Sequence, residues 1–346
     1  MNAQTGRVPL PVALAISGAL LVGVVAVGVA IGPTSIGLGT VWHVVAAHLT
    51  GHASNSTADD IVWQIRVPRV LLAALVGATL ATAGTVVQAL VRNSLADPFL
   101  LGISSGASVG ATAVLLFGVF AALGIWALSV GSILGALVAT LAVFSIARRG
   151  GRLQPVQLIL CGVVLSAMFE SVASFLLFKG NPQATQSVLF YLLGSFGNAT
   201  WSQLPIPAGV LLLSLAYLLA QARPLNTLAM GSDAAASLGL DVRRLRRNLF
   251  IVASAMAGVA VAVSGVIGFV GLVVPHIVRL LVRSDHRRVL PVGMLVGASF
   301  MVLGDLLART IVAPQEMPIG VVTAFVGAPV LLVLIRRRPY LYGATE

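Results

Sequence analysis

The sequence predicts an all-α polytopic membrane protein with ten transmembrane helices and both termini in the cytoplasm. Of its 346 residues, 58% are hydrophobic and only 9% are Asp, Glu, Lys or Arg, whereas a soluble domain has about 25% charged residues. The mean hydropathy of +1.02 indicates that much of the apolar surface faces lipid. This composition excludes a soluble enzyme, a disordered chain and, with Cys161 as the single cysteine, a disulfide scaffold.

The apolar stretches give the number of spans, because one crossing needs about 20 predominantly apolar residues as helix. Four stretches have the length of one crossing: residues 10–31, 67–91, 155–178 and 204–222. Three are too long for one crossing and are each predicted to form two, with breaks near 118–124, 264–265 and 314–318: residues 99–147, 249–282 and 289–335. The stretch 10–31 is longer than the apolar core of a signal peptide, so we expect it to be a retained helix.

The positions of the basic residues favour ten spans over nine. Residues 249–282 are long enough for two minimal spans or for one tilted helix. Nine spans would place the arginines of 283–288 and 336–338 outside, against the preference of Lys and Arg for cytoplasmic segments. Ten spans leave four of the 21 basic residues outside: Arg66, Arg69, Lys179 and Arg309. The net charge of +11 therefore indicates topology, and we predict no nucleic-acid partner.

The sequence offers no catalytic or metal-binding motif. It has no GxxxxGK[ST] phosphate loop, so the chain is not expected to hydrolyse ATP itself. Its external loop carries His43, His48 and His52, whose spacing alone favours ordinary interfacial histidines over a metal site. Short helices are expected at 42–49 in that loop and at 187–196.

Two acidic residues fall within predicted spans, where an ionised side chain is costly and is often functional. Asp305 precedes Arg309 by four residues, which places both on one helix face. A local ion pair and a functional role are both compatible with that spacing. Glu170 has no such local partner, so we expect it to face a water-filled pathway or another helix.

Small residues recur at four-residue spacing in the third and fourth spans. Gly102, Gly106 and Gly110 line one face of the third, and Gly131 and Gly135 line one face of the fourth. Small faces allow helices to approach closely in lipid. The pattern predicts helix packing and no specific function.

The largest hydrophilic segment, residues 223–247, is predicted to be cytoplasmic and to contain one short helix. Ser232 is the expected N-cap and Gly239 the expected stop. An alanine-rich helix exposed to the cytoplasm is explained if it docks into another protein. The candidate docking residues are Gly231, Ser232, Asp233, Ala234, Ala235, Ala236, Ser237, Leu238 and Gly239.

Nine segments, in order along the chain, resemble the permease subunits of ABC importers for ferric siderophores, haem and cobalamin, the FecCD type. The segments are residues 66–71, 92–98, 101–107, 194–196, 231–240, 268–276, 285–287, 305–309 and 318–323. One departure is Ser94, where the family usually has proline.

The resemblance implies a ten-span permease that works as a pair, most simply a homodimer, in a bacterial plasma membrane. Two cytoplasmic ATPases would bind ATP and Mg²⁺ and dock on the 231–239 helix, while this chain would hold no cofactor. An external binding protein would deliver the substrate, a ferric siderophore, haem or a related metal chelate, and would place acidic residues on Arg66, Arg69 and Arg309, expected to be exposed.

Three other interpretations remain open at this point. A cobalamin importer would have the same architecture as a siderophore or haem importer. An ion-coupled secondary transporter would need intramembrane coupling groups, for which Glu170 is the single candidate. A purely structural membrane subunit is disfavoured by the predicted cytoplasmic docking helix.

Overall fold

The computed structural model describes residues 8–52, 56–149 and 152–337. Their regular secondary structure is helical apart from one antiparallel pair of two-residue strands, so the all-α prediction is confirmed. The predicted cytoplasmic Arg7 and Arg338 lie outside the described residues. The elements in chain order are α1 (Leu10–Ala30), α2 (Leu38–Leu49), α3 (Thr57–Asp59), α4 (Val67–Val91), α5 (Ile103–Phe117), α6 (Ala127–Ala147), β1 (Arg148–Arg149), β2 (Arg152–Leu153), α7 (Pro155–Lys179), α8 (Pro182–Leu193), α9 (Pro205–Ala220), α10 (Ala222–Ala229), α11 (Ser232–Ser237), α12 (Val242–Ser264), α13 (Val270–Val282), α14 (His286–Thr310) and α15 (Ile319–Arg337).

Short helical turns extend several of these helices. A π-helical turn, Asp60–Arg66, leads into α4, and 3₁₀ turns occur at Pro98–Leu101, Ala121–Trp126 and Trp201–Gln203. Within the described chain, seven helices are long and apolar enough to cross a membrane: Leu10–Ala30, Thr57–Val91, Ala121–Ala147, Val156–Lys179, Trp201–Ala220, Val242–Ser264 and His286–Thr310. The chain is therefore a multi-pass membrane protein.

All three breaks predicted inside the long apolar stretches are present. The first stretch is interrupted between α5 and α6, the second between α12 and α13, and the third between α14 and α15. At the second break Gly265 has a φ of +72°, and a Cβ there would lie 2.0 Å from the carbonyl oxygen of Tyr191. Only glycine fits this position, because both the backbone conformation and the close approach exclude a side chain.

Helix α4 is the centre of the bundle. It packs against α14, α12, α13 and α9, and nearly all its residues are buried. The half from Ala83 to Val91 belongs to a hydrophobic cluster with α5 and α12. The other half belongs to a cluster with α1 and α14. Burial on all sides explains why α4 has no polar face.

Glycines set the distance between neighbouring helices, as the spacing of Gly106, Gly110, Gly131 and Gly135 predicts. Gly102 is the exception, because it precedes α5 with a φ of +75°. A Cβ on Gly110 would lie 2.0 Å from the carbonyl oxygen of Gly131, and one on Gly135 would lie 2.1 Å from that of Gly106. The α5–α6 contact therefore brings backbone directly against backbone. Helices α4 and α14 cross in the same way at Gly77 and Gly297.

The substitution Gly110→Val should destabilise the protein by about 1–3 kcal/mol or more, because the obstacle is a backbone carbonyl that cannot rotate away. The matched control is Gly23→Val on α1, where a Cβ meets no atom within 4 Å. Thermal unfolding in detergent micelles compares the two variants. Equal unfolding midpoints would contradict the assigned packing.

Candidate functional site

The three arginines predicted to lie outside are brought to one end of the bundle. Arg66 ends the π-helical turn, Arg69 lies in the first turn of α4, and Arg309 lies in the last turn of α14. Since α4 and α14 pack against each other, side chains distant in sequence meet at this end. We call Arg66, Arg69, Arg309, Asp305 and Glu316 the external charge cluster.

Asp305 is the centre of this cluster. Arg69 donates from Nε to Asp305 Oδ1 and Oδ2 at 3.0 and 3.2 Å, and from Nη2 to Oδ1 at 2.9 Å. Arg309 Nε lies 3.4 Å from Asp305 Oδ2, so the local ion pair, one of the two interpretations that the four-residue spacing left open, is present. The carboxylate is 1% exposed, and two guanidinium groups compensate its charge.

The arginines also bind the last turn of α1, whose final carbonyls have no partner within the helix. Arg66 Nη1 donates to the carbonyl oxygens of Val29 and Ala30 at 3.3 and 2.9 Å. Arg309 Nη2 donates to the carbonyl oxygen of Gly28. Cations at a helix C-terminus are stabilising, so α1 receives from α14 and the π-helical turn the basic residues that its own last turn lacks.

The expectation that these arginines are exposed is wrong. Arg66 is 3% exposed, Arg69 is 7% exposed and Arg309 is 1% exposed. The physical reason is that their guanidinium groups are used inside the chain, on Asp305 and on the end of α1. Their contact with a binding protein stays a prediction.

Glu316 is the cluster member that sequence reasoning treated only as part of a turn. It lies in the connection between α14 and α15, and its Oε1 accepts from Arg69 Nη1 at 2.6 Å. Its side chain is 39% exposed, in contrast to the other members. An acidic residue in an outer connection next to surplus arginines was the sequence feature that could have identified it.

A cavity of about 890 Å³ opens beside Glu316. It is lined by α8, by the loop after it and by the connection before α15, and its polar groups include Ser195, Asn198, Gln203 and Glu316. Helix α8 is fixed to the bundle by Tyr191, whose Oη donates to the carbonyl oxygen of Val261 at 2.7 Å. The short apolar segment predicted at 187–196 thus forms part of α8 and one wall of the cavity.

The histidine nearest this end has a structural contact. His48 Nε2 lies 2.9 Å from Asp59 Oδ2, and its ring stacks on Trp63 with centroids 4.2 Å apart. Trp201 Nε1 in turn donates to the carbonyl oxygen of Trp63 at 2.9 Å. The carboxylate partner was not expected from the sequence, and within the described residues no group of three or more His, Cys, Asp or Glu side chains could hold a metal ion.

Glu170 lies on an exposed face of α7. Ser171 and Ser174 are also exposed on this helix, which packs against α5 and α6 with its other side. An acidic side chain in the middle of a span is costly in contact with lipid. This face therefore requires water or protein against it.

The segment predicted to be cytoplasmic, residues 223–247, forms two short helices before α12 rather than one. Helix α11 has Gly231 as its N-cap, with a φ of +129°, so the predicted Ser232 cap is wrong. Ser232 Oγ instead accepts from Arg246 Nη2 at 2.8 Å, which fixes α11 to the start of α12. Gly239 ends the helix as predicted, with a φ of +81°.

The exposed side of α11 differs from the alanine face that the sequence indicated. Ala235 is fully buried against the chain itself. The exposed side carries Asp233, Ala236, Ser237 and Leu238, of which Leu238 is 68% exposed. Leu238 is therefore the one large apolar side chain on this exposed side of α11.

Helix α10 is anchored to the start of α14. Asn226 Nδ2 donates to Asp285 Oδ1 at 2.7 Å, and Asn226 Oδ1 accepts from the backbone N–H of His286 at 3.0 Å. Burial raises the pKa of Asp285, but the hydrogen bonds from Asn226 and from the Arg287 amide, with the charges of Arg287 and Arg288, outweigh it, so the net shift is downward. The ionised Asp285 thus fixes α10 to the start of α14.

Together, the apolar helices and the two polar ends define a multi-pass helical membrane protein. The chain belongs to the FecCD transport family, whose model matches residues 19–337.

Relatives with named functions cover most of the chain. A hemin transport system permease protein, HmuU of Yersinia pestis, is 41% identical over 291 residues, covering 82% of this chain and 86% of the relative. A cobalamin import system permease protein, BtuC of Halobacterium salinarum, is 40% identical over 282 residues, covering 82% of this chain and 75% of the relative. A metal-chelate type ABC transporter solved in an inward-facing conformation is 31% identical, with a TM-score of 0.82, covering 94% of this chain and 99% of that chain.

The substitution Asp305→Asn should destabilise the protein by about 3–5 kcal/mol, because it leaves buried Arg69 and Arg309 without the carboxylate that they share. The matched control is Asp60→Asn, which removes an exposed carboxylate from the same end. Thermal unfolding in detergent micelles measures both. A variant as stable as the control would show that Asp305 does not hold the cluster together.

Proposed function

We propose that this chain is the permease subunit of an ATP-driven, binding-protein-dependent importer of a metal chelate in a bacterial plasma membrane. The observation that carries the proposal is about 40% identity over four fifths of the chain to permeases named for haemin and for cobalamin. Both named substrates are metal–tetrapyrrole complexes. We therefore place haem and related metal macrocycles first, with ferric siderophores as the other chelate class.

The proposal includes ten spans with both termini in the cytoplasm. Seven helices have full spanning length, and the shorter apolar helices Ile103–Phe117, Val270–Val282 and Ile319–Val333 stand where the remaining three spans are predicted. Short spans are tolerated where they are buried in a helix bundle. The concentration of arginines at the ends of spans supports this orientation.

A second permease subunit, most simply a second copy of this chain, is proposed to cover the exposed face of α7. Glu170 on that face is supported as a pathway residue by its exposure in the middle of a span. Between two subunits, the carboxylate would face water along a shared pathway and avoid the cost of contact with lipid.

The two polar ends suit two different partners. The external charge cluster, with its surplus of arginines, is proposed to receive acidic residues of a substrate-binding protein. The exposed side of α11 is proposed to dock into a cytoplasmic ATPase, which supplies ATP and Mg²⁺. The permease itself then needs no cofactor and no catalytic residue.

An ion-coupled secondary transporter is the alternative of a different class. It would use Glu170 as a coupling group and would transport without an ATPase.

Reconstitution in liposomes separates these alternatives. We expect uptake only when an ATPase subunit and a binding protein are both added, with inhibition by vanadate. Haemin, cyanocobalamin and ferrichrome, supplied in parallel, identify the chelate class. Uptake driven by a proton gradient with no ATPase present would contradict the proposal.

The substitution Leu238→Glu should reduce ATP-driven uptake at least tenfold and weaken co-purification of the ATPase, because it places a charge at an apolar docking contact. The fold should be preserved, since the side chain is exposed. Arg223→Gln on α10 is the control, an exposed residue on the neighbouring helix. Normal uptake and normal ATPase binding by Leu238→Glu would exclude α11 as the docking helix.

A further inference from the structure

The three donor atoms of Arg69 that carry the ion pairs face two different environments. Nε and Nη2 point inward and hold Asp305, which is 1% exposed. Nη1 holds Glu316, whose side chain is 39% exposed. One carboxylate is therefore a permanent part of the interior, and the other lies where a second protein can reach it.

The charge of the cluster depends on Glu316. Arg66, Arg69 and Arg309 carry three positive charges against the two negative charges of Asp305 and Glu316. Among the described residues, Arg66 donates to backbone carbonyls and to no carboxylate. With Glu316 in place the surplus is a single positive charge, and without it the surplus doubles.

The backbone around Glu316 is held independently of its side chain. The N–H of Met317 donates to the carbonyl oxygen of Ala308 at 2.9 Å, and the N–H of Ile319 donates to that of Gly194 at 3.1 Å. Release of the carboxylate from Arg69 breaks neither bond. The side chain also has space to move, because it lines the cavity of about 890 Å³ and lies near Gly197, which has no side chain; a Cβ there would lie 3.4 Å from Glu316 Oε2.

We propose that Glu316 occupies Arg69 as an internal substitute for a carboxylate of the binding protein, and that docking exchanges one carboxylate for the other. The inference rests on the proposed function, in which an acidic surface of a binding protein meets this end of the permease. Nε and Nη2 of Arg69 stay on Asp305 throughout the exchange, so the buried guanidinium is never left without a carboxylate.

An internal competitor lowers the apparent affinity of the binding protein. The affinity is multiplied by the fraction of time for which Nη1 of Arg69 is not held by Glu316. A partly exposed ion pair of this kind should lower the affinity of the binding protein about fivefold. Removing the competitor should thus strengthen docking, although the substitution deletes a contact within the permease.

The test measures how tightly the substrate-binding protein binds to the assembled permease–ATPase complex. The binding protein used is the one that supports uptake in the reconstitution above. Glu316→Gln should raise the affinity about fivefold, and Glu316→Ala, a second variant lacking the competing carboxylate, should act in the same direction. Asp60→Asn removes an equal exposed charge from the same end and should change the affinity less than twofold, because it acts only through the long-range field. Thermal unfolding of each variant shows that the fold is retained.

A second pair of variants locates the effect at Arg69. In an Arg69→Gln background, Glu316→Gln should no longer raise the affinity. Equal affinities for Glu316→Gln and Asp60→Asn, or an affinity lower than that of the wild type, would overturn the exchange while leaving the importer function intact. Failure of the wild-type complex to take up any chelate with a binding protein would instead overturn the proposed function, and the exchange with it.

Discussion

The buried carboxylate of Asp305 is the interaction on which the outer half of this protein depends. A single acidic group, 1% exposed, gathers Arg69 from α4 and Arg309 from its own helix. Because both guanidinium groups are buried and stay charged, loss of this carboxylate would leave Arg309 without an acidic ion-pair partner among the described residues and Arg69 with Glu316 alone. Their remaining donors then reach the end of α1 and the connection to α15, so one carboxylate organises four parts of the chain.

This arrangement explains how a bundle with so few charges can select one specific pairing of its helices. In lipid, apolar contacts alone distinguish poorly between alternative helix pairings, so close backbone packing and polar interactions determine which helices meet. Glycine pairs fix the distance between α5 and α6 and between α4 and α14. The external charge cluster then fixes the ends of α1, α4 and α14, while Asn226 and Asp285 fix α10 at the opposite end.

Much of the fold could be predicted from the sequence because lipid imposes simple rules. Span length and glycine spacing located the helices and their breaks, and the glycine contacts between α5 and α6 followed directly. Burial of the arginines could not be predicted, because it depends on where α1 ends in space relative to α14. The Arg309–Asp305 pair was accessible from spacing, but the Arg69–Asp305 pair joins residues 236 positions apart. The buried face of α11 was missed because small residues fit a buried and an exposed side equally well.

The central claim is that Arg69 and Asp305 stabilise the fold as a pair, and a double-mutant cycle tests it most directly. Free energies of unfolding in detergent micelles would be compared for the wild type, Arg69→Met, Asp305→Leu and the double variant. We predict that each single substitution costs about 3–5 kcal/mol and that the double variant costs far less than their sum, with a coupling energy of about 3 kcal/mol. Additivity of the two single effects to within about 0.5 kcal/mol would contradict the account.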